Sequence, residues 1–294
     1  MTDSIMHSVL QKIDAHLNNV AFYQTVFSLP FAYMAAFLAA DGRPDIMVMV
    51  WITLTIVAAR SAALALDNLI DLKYDVDQPR FKGRPMVAGQ LNKRDIYLLV
   101  AICFAVLIFA VLQLNPICIK LLPIAALPFI IYPYMKRVTC FCHYICGVAV
   151  AMAPAGGWVA VSGEISWPMI VLCLAVALWI GGFDVVYGAQ DEQFDKEHGL
   201  HSMATALGAK RALWLAMLTH VAALGIFVYL GLLLHLGVLY YVGVLVAAAV
   251  LYYQHRIIHL KGFGVFTKEY YMRNGIVSVA MFFFTLASVL MRNA

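Results

Sequence analysis

The 294-residue chain is 64% hydrophobic and only 12% charged, whereas soluble globular domains carry about 25% charged residues, so a water-soluble enzyme is excluded. Its formal charge of +4 comes without any basic stretch interleaved with aromatics, which argues against a nucleic-acid partner. The apolar runs are continuous rather than alternating, which excludes a β-barrel in favour of spanning helices.

The first stretch is amphipathic. Within residues 1–18, Ile5, Val9, Leu10, Ile13 and Leu17 share one helical face, as expected of a helix lying at a membrane surface. Nine apolar runs follow, at about 19–40, 46–66, 95–114, 117–135, 142–162, 167–187, 212–234, 236–253 and 273–291, most of them near the roughly 20 residues that span a bilayer. The run at 117–135 is the weakest, because it contains Pro123, Pro128 and Pro133. The first run is too long for a cleavable leader and lacks a small-residue cleavage site. Connections are too short for a second domain. Residues 1–294 therefore read as one polytopic all-α integral membrane domain, a bundle of about nine transmembrane helices with a polar cap on the cytoplasmic side over a central cavity.

Orientation follows from Lys and Arg. With the N-terminus inside, the basic residues of the 73–94, 136–137, 196–211 and 256–273 connections, Lys268 among them, fall on the cytoplasmic side; only Arg43, Lys120 and Arg292 fall outside. The expected location is a bacterial inner membrane with the site facing the cytoplasm. Tyr252-Tyr253 and Tyr270-Tyr271 read as aromatic-belt residues. Cys140, Cys142 and Cys146 flank His143 in a grouping that superficially suits a metal, but small packing residues at a helix start account for it. His220, His235, His255 and His259 read as core or interfacial polar groups.

The run at 46–66 ends in Asp67-Asn-Leu-Ile-Asp71-Leu-Lys-Tyr-Asp75. Carboxylates every four residues form one stripe on a helix, and like charges at that spacing oppose one another where water is scarce. A cation must sit between them. Arg60, seven residues before Asp67, lies on nearly the same face, either as a buried counter-ion for Asp67 or Asp184, as a substrate contact, or as both. The following loop, with Arg80, Lys82, Arg84 and the turn residues Pro79, Gly83, Pro85 and Gly89, has the opposite need, a dense anion.

Further along, Tyr132-Pro-Tyr-Met-Lys136-Arg137 lies on the same side and can add phosphate donors. A second acidic stretch then closes the run at 167–187: Asp184, Tyr187, Asp191, Asp195 and Lys196, with the aspartates again in one stripe. Asp71 and Asp191 are 120 positions apart (191 − 71), as are Asp75 and Asp195 (195 − 75). Four runs separate the two acidic ends, so both reach the same leaflet; a duplicated four-helix unit would explain this. The polar piece Gly199-Leu-His201-Ser202-Met-Ala-Thr205 is suited to cover the site. Two facing carboxylate clusters can hold two Mg²⁺ ions bridged by a diphosphate, whose departure the metals and guanidinium groups assist. A diphosphate head beside a lipid-filled interior points to a polyprenyl diphosphate, and a dry cavity would shield the allylic cation until an electron-rich aromatic attacks it.

These residues resemble the UbiA superfamily of membrane prenyltransferases, marked by N-x-x-x-D-x-x-x-D after the second helix and D-x-x-x-D after the sixth. The resemblance covers nearly the whole chain. It implies metal binding by Asp67, Asp71, Asp75, Asp191 and Asp195, with Asp71, Asp75, Asp191 and Asp195 catalytic. It also implies diphosphate binding by Arg80, Arg84, Lys136, Arg137 and Lys196, and an acceptor or cavity role for Arg60, Asp184 and Tyr187. Asp67 stands at the usual Asn position, with Asn68 beside it. The segments Ala59–Ala62, Phe183–Asp191 and Gly199–Ser202 look like the bacterial 4-hydroxybenzoate polyprenyltransferase-like branch, which includes menaquinone enzymes of the futalosine route. The resemblance thus implies Mg²⁺-dependent prenylation of 4-hydroxybenzoate or dihydroxynaphthoate in ubiquinone or menaquinone synthesis.

Three other readings compete. A secondary transporter places polar residues and broken helices near the midplane, whereas these carboxylates cluster at helix ends on one side. A CDP-alcohol phosphotransferase would carry D-G-x-x-A-R ahead of its aspartates, a pattern missing here. A superfamily relative acting on a haem, chlorophyll or lipid acceptor is the third.

Overall fold

Capping and proline placement set the helix ends. The Asp45 carboxylate accepts from the Met47 and Val48 backbone N–H groups and starts a helix that runs without interruption to Asp75. Asn92 and Asp95 form a reciprocal capping box at the next helix start. The computed structural model describes residues 2–265 and 272–292, with side chains from Val9 onward; the Ile5 side chain and Lys268, Tyr270 and Tyr271 lie outside the described residues. The helices are α1 (Thr2–Asn19), α2 (Leu29–Ala39), α3 (Ile46–Asp75), α4 (Lys93–Leu112), α5 (Pro116–Met135), α6 (Cys142–Ser162), α7 (Trp167–Gly188), α8 (Glu192–Glu197), α9 (Met203–Leu207), α10 (Ala209–Leu233), α11 (Val238–Lys261) and α12 (Gly275–Arg292).

Among the described residues, nine helical stretches are long and apolar enough to cross a membrane. Eight of them coincide with the expected runs, although α3 continues nine residues past residue 66 (75 − 66) and α11 eight past residue 253 (261 − 253). The first differs: the run at 19–40 is a 3₁₀ segment, Phe22–Phe27, followed by the 11-residue α2. The chain breaks at Ala21, whose φ is 42°, and Pro30 restarts it in the first turn of α2, where a missing N–H costs nothing. The proline-rich run forms one helix, α5.

On α4, Ile96, Val100, Cys103, Leu107 and Ala110 are buried at helical spacing, while Leu98, Ile102 and Phe109 face outward as lipid-facing residues should. On α1, Val9, Leu10, Ile13 and Leu17 are exposed, and Lys12 pairs with Asp95 at 2.7 Å, so the helix is tied to the start of α4 with its apolar face outward.

The main core is built from Phe31, Trp179, Phe227, Tyr240, Leu172, Leu230 and Met281, drawn from α2, α7, α10, α11 and α12. Helices α6 and α7 approach so closely that a Cβ on Gly147 would stand 2.1 Å from the Ala177 carbonyl oxygen, the close backbone contact that small residues permit between membrane helices. This contact fixes the two helices that wall one side of the site.

Candidate active site

Helix α3 carries Asp67, Asp71 and Asp75 beyond its apolar part. The second acidic stretch instead breaks into a 3₁₀ turn, Ala189–Asp191, and then α8. Asp75, Asp191 and Asp195 are nonetheless all buried. The loop after α3 is pinned where Met86 and Leu91 enter a core with Ala15, Ala65, Ile96 and Val100. Asn68 ties the same loop to α1: its Nδ2 donates to the Asn19 carbonyl, and its Oδ1 accepts from Arg84 Nη1 at 3.1 Å.

The opposed charges meet across these elements. Arg80 pairs with Asp191, and Gln78 Nε2 donates to the same carboxylate at 3.0 Å. Arg84 pairs with Asp75. Lys136 pairs with Asp195 at 2.8 Å, and Arg137 with Asp71 at 2.8 Å, the latter guanidinium also donating to the Ile70 carbonyl at 3.1 Å. The like-charge repulsion within each acidic stripe is therefore offset by four cations from two loops. Burial tends to lower the Lys136 pKa, but the Asp195 carboxylate outweighs this and leaves it above the ordinary lysine value. Aromatic faces hold the guanidiniums in place: Arg80 lies 4.9 Å from the Tyr187 ring centre, Arg84 3.5 Å from that of Phe81, and Arg137 5.4 Å from that of Tyr74.

All these groups line one cavity of about 150 Å³, together with Asp67, Tyr132, His143, Asp184 and Leu200. A second cavity of about 120 Å³ is mostly apolar, lined by Phe27, Leu64, Phe129, Cys146, Ile180 and Phe183 along with Gln24 and Arg60. Asp67, Tyr132 and Asp184 belong to both, so they mark the neck between a charged chamber and an apolar one. The covering segment takes part as expected: Leu200 lines the charged chamber, and His201 N–H donates to the Lys136 carbonyl at 2.6 Å.

The structure brings together Asp67, Asp71, Asp75, Asp191, Asp195, Arg80, Arg84, Lys136, Arg137, Asp184 and Tyr187 in the charged chamber, and puts Arg60 in the apolar one. Lys196 departs from the expectation. It is exposed, pairs with Glu192 at 2.5 Å one helical turn away, and does not line the chamber. Arg60 donates to Gln24 Oε1 at 3.2 Å, while Asp184, one of its expected partners, bonds instead to His143 Nδ1 at 2.8 Å. Sequence reasoning missed Gln24, Gln78 and Phe81, and took the group around His143 for packing. Neutral or aromatic residues carry no charge pattern to reveal them, although Gln78 and Phe81 fall inside the basic loop.

Among the described residues, no three His, Cys, Asp or Glu side chains converge as a ready-made metal cage. The donors still fit Mg²⁺, a hard ion held through one or two carboxylates plus substrate phosphates rather than by an all-protein cage. Every acid in the chamber offers oxygen, and Asp195 Oδ2 is buried without a hydrogen-bond partner.

A family model described as the UbiA prenyltransferase family matches residues 28–263. The chain is 30% identical over 224 residues to a 4-hydroxybenzoate octaprenyltransferase of Aliivibrio salmonicida, an alignment covering 76% of this chain and 78% of that one. A UbiA homolog from Aeropyrum pernix K1, solved in its apo form, superposes with a TM-score of 0.81 at 29% identity, covering 92% of this chain and 98% of that chain. A UbiA homolog from Archaeoglobus fulgidus bound to GPP and Mg²⁺ shares the fold with a TM-score of 0.72 at 17% identity, covering 94% and 99% of the two chains. With its acidic helix ends gathered at one chamber beside an apolar one, the chain belongs to the UbiA prenyltransferase family and is a membrane prenyltransferase.

Proposed function

We propose that residues 1–294 act as one domain that moves a polyprenyl group from its diphosphate to an aromatic acid, 4-hydroxybenzoate or dihydroxynaphthoate, in ubiquinone or menaquinone synthesis. The observation that carries the reading is the neck: a chamber ringed by four cations and six carboxylates opens through it into an apolar chamber that holds one further cation, Arg60. A prenyl diphosphate has that division of polarity, and an aromatic acid needs both an apolar wall and a cation for its carboxylate. The Aliivibrio salmonicida relative is named a 4-hydroxybenzoate octaprenyltransferase, and the Archaeoglobus homolog was solved bound to GPP and Mg²⁺, which supports this reading.

In this reading Arg80, Arg84, Lys136 and Arg137 bind the diphosphate oxygens, and their carboxylate partners Asp191, Asp75, Asp195 and Asp71, with Asp67, would hold two Mg²⁺ ions, one per acidic stretch. Mg²⁺, when bound, supplies positive charge that stabilises the departing diphosphate. The donor C–O bond breaks and its electron pair leaves with the diphosphate. The aromatic ring carbon attacks the allylic cation, and the ring proton is lost. Phe27, Phe129, Ile180 and Phe183 keep water from the cation. In this reading the acidic end faces the cytoplasm from a bacterial inner membrane, a sidedness supported by the excess of basic residues at that end.

Purified protein tested with prenyl diphosphates of several lengths and each aromatic acid decides the matter. Diphosphate release that needs both Mg²⁺ and an aromatic acid, with a prenylated aromatic as product, is expected. Release with neither acid would overturn the reading, and the preferred acid names the quinone.

A further inference from the structure

His143 opens the first turn of α6 and is 2% exposed. Its Nδ1 lies 2.8 Å from Asp184 Oδ2. A carboxylate can only accept, so Nδ1 carries the proton and donates it. The two partners differ in access. The Asp184 side chain is 27% exposed and lines both chambers, whereas the His143 side chain is 3% exposed and meets the charged chamber alone. Space for the ring comes from α7 itself: one turn beyond Asp184, a Cβ on Gly188 would stand 2.7 Å from His143 Cε1. Nε2 is buried with no hydrogen-bond partner, and the bond from Nδ1 to Asp184 turns the ring toward the neck. A buried polar ring held to a group at the neck of a reaction cavity is poorly explained by packing alone, since an apolar side chain would fill the gap without burying a bare nitrogen.

We propose that His143 is a positioning residue for the aromatic acceptor: its Nδ1–H holds the Asp184 carboxylate at the neck between the two chambers and leaves the second carboxylate oxygen to accept a hydrogen bond from the acceptor's ring hydroxyl. This rests on the acceptor being a hydroxylated aromatic acid, as in the reading above. The hydroxyl then points toward the charged chamber, and the ring carbon beside it meets the reacting end of the donor. A carboxylate free to swing would hold the acceptor in several orientations, and misplacement at that distance slows attack. His143 acts through Asp184, so it governs the acceptor and not the diphosphate.

Two variants of similar length separate hydrogen bonding from packing. H143Q keeps an N–H that can reach Asp184, and H143M fills the same space without a donor. With 4-hydroxybenzoate as acceptor, each is measured for the acceptor KM, for the prenyl diphosphate KM, for kcat, and for thermal unfolding in detergent. H143M is expected to raise the acceptor KM or lower kcat by about tenfold, the effect of one lost hydrogen bond to a charged group, with the donor KM little changed. H143Q is expected to stay close to the unaltered protein. Equal behaviour of the two variants, a matching rise in donor KM, or loss of folding in either overturns the proposal. If the unaltered protein prenylates no aromatic acid, the functional reading itself has failed and this inference falls with it. If it prenylates normally and the two variants do not differ, only the role of His143 has failed.

Discussion

Arg80 and Asp191 are 111 positions apart (191 − 80) and form an ion pair that ties the basic loop after α3 to the acidic end of α7. Gln78 donates to the same carboxylate, so two residues of one loop hold one aspartate of the other half of the chain. Asp191 is buried and Arg80 is 27% exposed at its side chain, which leaves the guanidinium the more able of the two to turn toward a ligand. Arg80→Met should therefore raise the prenyl diphosphate KM by about tenfold, as loss of one charge-assisted contact does, with the aromatic acid KM unchanged. Steady-state kinetics with each substrate varied in turn checks this. Equal effects on both substrates would place Arg80 in fold maintenance instead.

Asp71→Ala and Asp191→Ala should each abolish turnover and leave the protein folded. Neither change strands a deeply buried cation, since Arg137 and Arg80 are each about a quarter exposed and Arg137 keeps its bond to the Ile70 carbonyl. Near-normal product formation by either variant would contradict the metal-and-diphosphate assignment. Size-exclusion elution and helical content serve as the folding control.

Removing divalent metal should have the same result by another route. Asp71, Asp75, Asp191 and Asp195 are already matched by cations, so chelation should stop turnover while leaving the unfolding temperature nearly unchanged. Restoring Mg²⁺ should restore activity. A large fall in thermal stability on chelation would instead show a structural metal.

Much of this was legible from the acidic spacing. The stripe of Asp67, Asp71 and Asp75 and the 120-position offset to Asp191 and Asp195 placed both clusters in one cavity, and the structure puts them there. Helix spans were legible for the same reason, since lipid imposes length and apolarity together. Three features were not. The break at Ala21 depends on a left-handed backbone that no local signal announces. Lys196 has the same charge and neighbourhood as a ligand-binding lysine, but a Glu192 one turn earlier claims it. The Asp184–His143 bond joins two helices across 41 positions (184 − 143), and a histidine among packing cysteines at a helix start does not point to that partner.

Lys136 and Lys196 provide an internal contrast. Lys136 pairs with Asp195, which is wholly buried, and Lys136→Met leaves that carboxylate without a counter-ion, a loss of about 3–5 kcal/mol for a broken buried pair. Lys196 is exposed and its pair with Glu192 is worth at most about 0.5 kcal/mol, so Lys196→Ala should leave both stability and the donor KM unchanged. The Lys136 pair also has a defined pH range. Its pKa is raised in the folded protein, so its contribution is fully present below the ordinary lysine value of 10.5 and is lost as pH rises through the raised value. Thermal unfolding of the K136M variant beside the unaltered protein should show a gap that is constant from neutral pH upward and narrows only in strong alkali.

Arg60 tests the acceptor end of the neck. It lies in the apolar chamber on the same side of α3 as Asp67, and its Nη2 donates to Gln24 in the 3₁₀ segment that follows α1. A guanidinium among Phe27, Phe129 and Phe183 is costly to bury and suits the carboxylate of an aromatic acid, whose ring those same phenylalanines would flank. Arg60→Leu keeps the chamber apolar and removes the charge. With 4-hydroxybenzoate varied, the acceptor KM should rise by about tenfold or more, the cost of a lost charged contact, and the prenyl diphosphate KM should hardly alter. An uncharged hydroxylated aromatic, lacking the carboxylate, should lose nothing further in the variant, because the missing partner was the carboxylate's. Equal rises in both KM values would show that Arg60 serves the fold or Asp67, not the acceptor.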